Sequence, residues 1–448
     1  MTRAKGIASA VTIGAFLLVL FASVFVFAAV DSERPERAGE RIPGQYIVVF
    51  KDSVSDVDAA ENELVARVRG ERFDSYRNAL NGFAARFSES DLSAIADDPR
   101  VAFVSEDRVV SIADAPLDTS RVRDLYSRAR ENKKGPSAGA APPAQTLPTG
   151  VDRVNAEGKA NTGAGVDVAV VDTGILASHP DLAGKVVGGK NCSSSGGGYT
   201  DQNGHGTHVA GTIAALNNTQ GVVGVAPGVK LWSVRVLNKF GSGSWSSVIC
   251  GLDFVTSKAP AKGGTIRVAN MSLGGSGISD NNCGNTNNDA LHKAICRARD
   301  AGVTIVVAAG NSGAPAASFV PAAYDDAVIT VSALADSDGK PGGVGSATSY
   351  GADDTFASFS NFGPGVDIGA PGVAINSTWL SNGYRTISGT SMASPHVAGA
   401  AALYIATHPG VSWSAVRDAL ALAGEAVGLG HSDTFGIHPE PVLLADTL

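Results

Sequence analysis

The sequence has few aromatic side chains, few charges and no surplus of basic residues. Aromatic residues make up 6% of the 448 positions and charged residues 17%, and the formal net charge is −8. A chain without a basic surplus lacks the electrostatic footprint of nucleic-acid-binding proteins, so we expect no nucleic-acid partner. The 54 glycines instead favour a fold with tight turns and close backbone approaches.

Cysteine is also scarce, and its spacing argues against a common kind of metal site. The four cysteines form no C-x-x-C pair, so we do not expect a structural zinc site. An even number of cysteines in an exported chain is typical of disulfides, and four cysteines allow three connectivities. The short separation of Cys283 and Cys296 favours that pair together with Cys192–Cys250. Buried free thiols are the alternative.

Residues 1–29 have the pattern of a targeting segment. Arg3 and Lys5 precede a long apolar stretch that ends in the small residues Ala28 and Ala29, as in a secretory signal peptide. The stretch exceeds about 20 residues, so a retained membrane anchor is the alternative. In both cases the rest of the chain is exported. We expect a secreted protein or, if the segment is not cleaved, one anchored to the outer face of a membrane.

Three further segments follow along the chain. Residues 45–112 alternate apolar strands with helical spacing in the order β-α-β-α-β, which predicts a small ferredoxin-like α+β unit. Residues 113–143 carry six basic side chains and then a Pro/Gly/Ala-rich run, which predicts an extended linker open to proteolysis. Residues 144–448 alternate apolar strands with helices, which predicts an α/β domain whose mostly parallel sheet has helices on both faces.

Polar residues stand directly after several of the predicted strands. Asp172, Ser272 and Asn311 each follow an apolar run, and in parallel sheets the chemistry lies at the carboxyl ends of the strands. Asp172 begins an Asp-Thr-Gly sequence, which also occurs in aspartic peptidases. Those enzymes need two carboxylates that share a proton, and the sequence has only one Asp-Thr-Gly.

Three motifs rich in small residues supply a carboxylate, an imidazole and a hydroxyl in that order. They are VVDTG at 170–174, GHGTHVAG at 204–211 and GTSMASPH at 389–396. A serine hydroxyl becomes nucleophilic when a base takes its proton, and a carboxylate fixes the tautomer of that base. His205 and His208 could instead form a metal pair, but no glutamate lies beside them as a general base. We expect His208 to be a buried structural residue.

The motifs and their order resemble those of the subtilisin-like serine endopeptidases, the subtilase family, from about residue 145 to the end. The resemblance implies a triad of Asp172, His205 and Ser391, in which Ser391 rather than Ser394 is the nucleophile. It also implies that Asn311 donates a hydrogen bond to the oxyanion. A catalytically inactive binding scaffold on the same fold is the rival hypothesis, although no triad residue is substituted.

The sequence around the nucleophile predicts the start of a helix, where the positive end of the helix dipole favours developing negative charge. Pro395 is expected in the first turn of that helix, where proline is tolerated. The position of residues 45–112 before this domain resembles that of the inhibitor-like prodomain of subtilases. The resemblance therefore implies a self-processed zymogen whose prodomain covers the substrate cleft as an intramolecular inhibitor.

The resemblance further implies backbone segments that pair with an extended peptide or protein substrate. Phe319 stands where many subtilisins have glycine at the floor of the specificity pocket, so primary specificity is open; we expect a preference for apolar or aromatic residues. We expect a monomer. The remaining residues implied to contact substrate are Gly241, Ser242, Gly243, Ser272, Leu273, Gly274, Ala308, Ala309 and Gly310.

A structural calcium ion is the one cofactor that the resemblance implies. Residues 216–222 match the family's calcium loop, and residues 144–150 resemble its mature N-terminus. An all-oxygen ligand set suits calcium, and a polar surface loop is the alternative. Asp336 and Asp338 lie in an insertion, where we expect a solvated turn and a second ion is the alternative. The implied ligands of the first ion are Gln145, Asp181, Leu216, Asn218, Gln220 and Val222.

The two candidate N-termini predict a maturation in two steps. A strand at Val109–Ile112 would enter the cleft like a product, yet the segment that resembles the mature N-terminus begins about 31 residues later. We expect an early N-terminus near residue 113 and a later one between about residues 135 and 145. Trimming of the linker would allow Gln145 to reach the calcium loop.

Overall fold

The computed structural model describes residues 37–112 and 143–448. The targeting segment predicted at 1–29 and nearly all of the linker predicted at 113–143 lie outside these residues. Among the helices of the described residues, none is both long enough and apolar enough to cross a membrane.

The N-terminal unit is a four-stranded antiparallel sheet with two helices. The side chains of β1 alternate between its two faces, as the period of a strand requires. Tyr46 and Val48 pack with helical residues such as Leu64, whereas Ile47 and Val49 pack against the larger domain. The strand order is β4-β1-β3-β2, and the elements are β1 (Arg41–Phe50), α1 (Val57–Arg67), β2 (Glu71–Tyr76), β3 (Gly82–Arg86), α2 (Leu92–Ala96) and β4 (Val101–Ile112).

This unit confirms the ferredoxin-like prediction but corrects its element order. The order is β-α-β-β-α-β, because β2 forms an extra strand. Its sequence, Glu71–Tyr76, is mostly polar and largely exposed, so hydrophobic alternation did not reveal it. The two short apolar runs near the end of the unit are parts of one continuous strand, β4.

The C-terminal domain confirms the α/β prediction. Its main sheet has the order β14-β13-β11-β9-β5-β7-β6, in which all neighbours are parallel except β13 and β14, and β15 also pairs with β13 in parallel. The elements are α3 (Thr149–Arg153), β5 (Asp167–Asp172), β6 (Val186–Asn191), α4 (His205–Ala214), β7 (Lys230–Arg235), β8 (Ser242–Ser244), α5 (Trp245–Ser257), β9 (Ile266–Met271), β10 (Leu273–Ser276), α6 (Ala290–Asp300), β11 (Thr304–Ala308), β12 (Phe319–Val320), β13 (Ile329–Ala335), β14 (Thr355–Phe356), β15 (Ile368–Pro371), β16 (Ile375–Trp379), β17 (Gly383–Ile387), α7 (Thr390–Thr407) and α8 (Trp413–Ala423).

Helices cover both faces of this sheet because its strands are apolar on both sides. Val168 and Val170 of β5 pack in one cluster with residues of α4 and α7. Ala169 and Val171 point the other way and pack with residues of α5 and α6. α7 is buried along nearly its whole length, which explains why its small and apolar residues show no polar face.

Both predicted disulfides are present. Cys192 joins Cys250, and Cys283 joins Cys296, so no described cysteine is a free thiol. The first bridge connects the segment after β6 to α5, and the second connects a loop to α6.

The two units share a single sheet at the edge of the C-terminal domain. β4 pairs antiparallel with β8 on one side and with β10 on the other, and β10 in turn pairs with β12. The last strand of the N-terminal unit therefore lies between two walls of the larger domain as an added strand.

Candidate active site

Asp172 and His205 are in direct contact at the carboxyl end of the parallel sheet. Asp172 is the last residue of β5 and His205 is the first residue of α4. The Nδ1 atom of His205 lies 2.8 Å and 2.9 Å from the two carboxylate oxygens of Asp172, and both side chains are buried. This geometry holds the proton of a neutral imidazole on Nδ1 and leaves Nε2 as the basic nitrogen.

A glycine allows the helix to approach β5 this closely. A Cβ at Gly206 would lie 2.2 Å from the carbonyl oxygen of Gly174 and 3.1 Å from Oδ1 of Asp172. The backbone N–H of Gly206 instead donates to the Thr173 hydroxyl at 2.9 Å. The glycines around His205 are therefore required by packing.

Asp201 holds the N-terminus of α4, and the sequence analysis did not single it out. Its carboxylate accepts hydrogen bonds from the backbone N–H groups of Asn203, Gly204 and Thr207, and from the hydroxyls of Thr173 and Thr207. Burial raises the pKa of Asp201 despite these donors. The residue at the N-cap position is Gly204, so the usual capping pattern does not point to Asp201.

Ser391 is the second residue of α7, and Pro395 lies deeper in the helix than expected. Because α7 begins at Thr390, Pro395 is the sixth helical residue, so the prediction that it falls in the first turn is wrong. Proline has no N–H group to donate to the carbonyl four residues earlier, which belongs to Ser391. The hydroxyl of Ser272 donates to that carbonyl instead, at 2.9 Å.

The same two serines also contact each other in the opposite direction. Ser391 Oγ donates to the carbonyl oxygen of Ser272 at 3.2 Å. The competing nucleophile, Ser394, donates to the side chain of Asn270 at 2.7 Å and is fully buried. Asn270 in turn donates to Ser272 Oγ.

The side chain of Asn311 is oriented by its contact with Thr390. Oδ1 of Asn311 accepts the backbone N–H of Thr390 at 2.9 Å and its hydroxyl at 2.9 Å. A backbone N–H can only donate, so the oxygen of the amide must lie on that side. The Nδ2 group is the end that can donate to a substrate oxygen.

β4 lies in a cleft whose walls are the backbone segments proposed to bind substrate. Ile112 pairs with Leu273, and Val110 pairs with Gly243. The backbone N–H of Ile112 donates to the carbonyl of Gly241 at 3.0 Å. A Cβ at Gly241 would lie 2.9 Å from the Ile112 side chain, so glycine suits this wall. Ser242 and Gly274 also pair with β4, at Ser111.

A cavity of about 340 Å³ opens beside the end of β4. The predicted pocket residues line it together with Ile112 and Asn311. Phe319, in β12, is half-buried in the wall of this cavity and pairs with Ser276 of β10. The predicted residues brought together there are Leu273, Gly274, Ala308, Ala309, Gly310 and Phe319.

A segment before β1 adds a contact that the sequence analysis missed. Gly39 donates its N–H to the carbonyl of Val109, and Ala38 accepts the N–H of Ser276. Gly39 has a φ of 92°, and a Cβ there would lie 2.5 Å from the backbone nitrogen of Ser276. Arg37 and Ala38 also line the cavity beside β4.

His208 does not form a metal pair with His205. It is fully buried, and its Nε2 lies 3.0 Å from the carbonyl oxygens of both Ile375 and Arg385. Burial lowers the pKa of His208 to about 3, so it is a neutral donor that ties α4 to the β16–β17 hairpin. The expectation of a structural histidine agrees with this environment.

The predicted calcium ligands lie together around residues 216–222. Oε1 of Gln145 accepts the backbone N–H groups of Asn218 and Thr219. Asp181 is fully buried; its Oδ2 accepts the N–H of Val222 at 2.8 Å, while its Oδ1 has no hydrogen-bond partner among the described residues. A buried carboxylate oxygen that faces an oxygen-rich loop fits a calcium ion.

This arrangement corrects one expectation about maturation. Gln145 reaches the loop in the intact chain, and the backbone bridges Ala144–Gln220 and Thr146–Val222 hold its neighbours there. Trimming of the linker is therefore not required for this contact.

Comparisons with known proteins agree with this geometry. Residues 163–436 match the model of the subtilase family of peptidases, and residues 45–113 match that of the peptidase inhibitor I9 family. The chain is 38% identical to an extracellular serine proteinase from Thermus sp. over 86% of this chain and 85% of that protein. It is 44% identical to subtilisin DY from Bacillus licheniformis over 65% of this chain and 96% of that protein.

The chain belongs to the subtilase family. The crystal structure of a cold-adapted subtilisin-like serine proteinase aligns with a TM-score of 0.54 and 37% identity, covering 66% of this chain and 97% of that one. This subtilase is a serine endopeptidase with an I9-type prodomain.

The prodomain of this subtilase also binds helix α5 through residues that the sequence did not reveal. Asp107 of β4 accepts the backbone N–H of Ser246 at 3.0 Å and its hydroxyl at 2.5 Å. Asp253 of α5 accepts three consecutive backbone N–H groups from residues 77–79 of the prodomain. Both carboxylates accept hydrogen bonds from backbone N–H groups. Those that Asp107 accepts come from the N-terminus of α5, where a negative charge is favourable.

Proposed function

We propose that the chain is an exported, self-processed zymogen of a serine endopeptidase whose triad is Asp172, His205 and Ser391. His205 would take the proton of Ser391 Oγ through Nε2 while Asp172 holds the Nδ1 proton. The alkoxide would attack the carbonyl carbon of an extended peptide. Asn311 Nδ2 and the N–H of Ser391 would donate to the resulting oxyanion.

The second half of the reaction returns the proton. The imidazolium of His205 would give its proton to the leaving amine, and the carbonyl would remain as an ester on Ser391. A water molecule deprotonated by His205 would then attack this ester and release the acid. Loss of one oxyanion donor lowers kcat by about 10²–10³ in subtilisin itself, which is the scale expected for Asn311.

The position of β4 is the observation that carries the proposal. In the antiparallel register Ile112, the last residue of β4, faces Leu273, which directly follows Ser272. The carbonyl of Ser272 lies 3.2 Å from Ser391 Oγ. The register thus supports a first cut near Ile112. A later N-terminus between about residues 135 and 145 remains a proposal that rests on the exposed composition of the linker.

Features outside the triad support the proposed substrate preference and the proposed export of the protein. The cavity beside β4 is lined by alanines, glycines and Phe319, which supports the preference for apolar or aromatic residues before the cut. Two disulfides and the predicted targeting segment support export.

Calcium is proposed as a structural ligand of the mature domain. Gln145, Asp181 and Asn218 would supply side-chain oxygens, and the carbonyls of Leu216, Gln220 and Val222 would complete the shell. Bound calcium would neutralise the buried Asp181 carboxylate and fix the N-terminal segment to the loop.

A fluorophosphonate probe tests the proposed nucleophile. The processed wild-type enzyme should be labelled at one site, because such probes react only with a serine activated by its base. Ser391→Ala should abolish labelling and peptide cleavage, whereas Ser394→Ala, the matched control three residues away, should keep its labelling. Retained labelling in Ser391→Ala would refute the assignment.

The same variant tests self-processing. A purified wild-type precursor should convert to a species that begins near residue 113, as N-terminal sequencing would show. The Ser391→Ala precursor should stay intact when no other protease is present. If it is still cut near residue 113, the first cleavage is not intramolecular.

A further inference from the structure

A loop of 19 residues separates β13 from β14, and its two ends carry aspartates. Asp336 directly follows β13, and Asp353 comes two residues before β14. The two strands are antiparallel neighbours, with Ala335 opposite Thr355, so both ends of the loop meet at one point. We call Asp336, Asp338 and Asp353 the neck cluster.

The neck cluster brings three carboxylates together in a buried place. One oxygen from each of Asp336, Asp338 and Asp353 lies within 4.8 Å of the others. Asp336 is 2% exposed and Asp353 is 5% exposed, while Asp338 faces solvent. The expectation of a solvated turn named Asp336 and Asp338; it is wrong for the buried Asp336 and agrees with the exposed Asp338.

One oxygen in the neck cluster has no partner. Oδ1 of Asp336 accepts the N–H of Gly339 at 3.0 Å, but Oδ2 is buried without a hydrogen bond among the described residues. Buried polar atoms are nearly always satisfied by a protein group, a water or an ion. Both oxygens of Asp353 accept backbone N–H groups, from Ser337 and Gly345.

The basic side chains around the neck cluster are engaged elsewhere. Arg153 pairs with Asp354 and Glu425, and Lys340 pairs with Asp152. Within residues 37–112 and 143–448, no ion pair joins a basic side chain to the neck cluster.

A small residue keeps the cluster open. A Cβ at Gly345 would lie 2.4 Å from Ser337 Oγ and 2.7 Å from Oδ2 of Asp353. A larger residue would therefore push into the space beside the carboxylates.

We propose that Asp336, Asp338 and Asp353 bind a calcium ion at the neck of the 336–354 loop, separate from the ion proposed at residues 216–222. The ligand atoms are all oxygens, which suits a hard cation and not zinc. Two carboxylates come from the buried ends of the loop and one from its exposed side, where water can complete a shell of six to eight oxygens. The ion would close the loop at its base.

Calcium titration of the full-length Ser391→Ala precursor tests this site without self-digestion. Isothermal calorimetry on chelator-treated protein should show one calcium equivalent fewer in Asp336→Asn, and also in Asp353→Asn, than in the parent. Asp418→Asn, an exposed aspartate of α8, is the matched control and should bind as many ions as the parent. Magnesium alone, at the same concentration, should not displace the calcium.

Two further arms separate the possible outcomes. Asp181→Asn changes only the site at residues 216–222. If that other site binds no calcium, the parent should still bind one calcium ion more than Asp336→Asn. Equal calcium binding in the parent, Asp336→Asn and Asp353→Asn would overturn the proposal. If those two variants do not fold, the exposed Asp338→Asn should still weaken binding at this site at least tenfold, and an unchanged Kd would overturn the proposal.

Discussion

Proline at position 395 removes one hydrogen-bond donor from the helix that carries Ser391. The hydroxyl of Ser272 replaces that donor, and Asn270 holds Ser272 in place. Ser272 therefore has two roles: its backbone forms a wall of the cleft, and its side chain completes the helix on which the nucleophile is placed.

Replacement of Ser272 by alanine should lower stability. The carbonyl of Ser391 would lose the Ser272 hydroxyl as a donor, and loss of a buried hydrogen bond of this kind costs about 1–3 kcal/mol. In the Ser391→Ala background, which prevents self-digestion, we expect Ser272→Ala to lower the Tm by about 2–10 °C. Differential scanning calorimetry would measure this.

The control for this prediction lies on the opposite wall. Ser242 makes only a long side-chain contact of 3.4 Å to the carbonyl of Val110, so Ser242→Ala should leave the Tm nearly unchanged. Equal Tm values for both variants would show that Ser272 Oγ does not support α7.

Residues that belong to short motifs could be predicted from the sequence, whereas residues that act through contacts distant in the chain were missed. Asp172, His205, Ser391 and Asn311 were predicted because they stand in motifs that resemble those of subtilases, and the structure places Asp172 and His205 in direct contact. The bond from Ser272 to Ser391 joins residues 119 apart, and no local pattern encodes it.

The contact between β4 and α5 should make the affinity of the prodomain for the catalytic domain depend on pH. Asp107 of β4 is buried against Ser246 of α5, and burial raises the pKa of Asp107 to about 6 from its ordinary value of 3.8. A carboxyl whose pKa is higher in the complex than in the free prodomain favours the complex when it is protonated. The stabilisation that protonated Asp107 gives to the complex is thus fully present below pH 4 and is lost as the pH rises through about 6.

We therefore expect the cleaved prodomain to dissociate more slowly at pH 5 than at pH 7. One carboxyl with this shift changes the affinity about tenfold between those two values. Asp74 shifts in the same direction, because burial raises its pKa to about 7 while Lys190 opposes the change. Fluorescence anisotropy of a labelled prodomain would measure dissociation without relying on enzyme activity.

Asp107→Asn is the control, because asparagine keeps most of the shape but cannot titrate. It should remove the roughly tenfold part of the pH dependence that Asp107 contributes, and the larger part expected from Asp74 should remain. Faster release at pH 5 than at pH 7 in the wild-type complex would contradict the prediction.

Elements with apolar patterns were predicted well and polar ones were not. Most strands of the parallel sheet are apolar runs, and the positions predicted for β5, β7, β9, β11 and β13 were close to those observed, whereas β6 and β15 were not predicted. β2 was missed because its side chains are polar, and the β16–β17 hairpin was missed although it packs on α4 through Ser377 and Thr378. Hydrogen bonds from polar side chains, which have no sequence period, hold that hairpin.

The two disulfides and the proposed calcium ions would affect the stability of the molecule as a whole. An ion that binds only the folded state raises the free energy of unfolding by about 2.7 kcal/mol at a concentration of 100 times its Kd. In the Ser391→Ala background we expect chelator to lower the Tm by about 5–10 °C. Asp181→Ala should start from a lower Tm and show a smaller further drop, because the neck cluster is intact.

The matched control is again Asp418→Asn, which should respond to chelator like the parent. An unchanged Tm of the parent in chelator would count against both calcium sites. The sequence alone could suggest the first site by resemblance, but the burial of Asp336 emerges only when β13 and β14 bring distant residues together.

The cleft receives β4 as one strand of a continuous sheet, and this sets a condition on every other chain that enters it. A peptide can replace β4 only if several consecutive residues give up their own backbone hydrogen bonds and become straight. Helices and inner strands of a stable protein do so only when they open locally, and the cost of opening ranges from nearly zero at loops up to the full stability of the protein. When opening is fast compared with cleavage, the rate at which such a protein is digested reports the fraction of time that its segment is open. The enzyme would thus select its targets by how loosely they are folded as well as by their side chains.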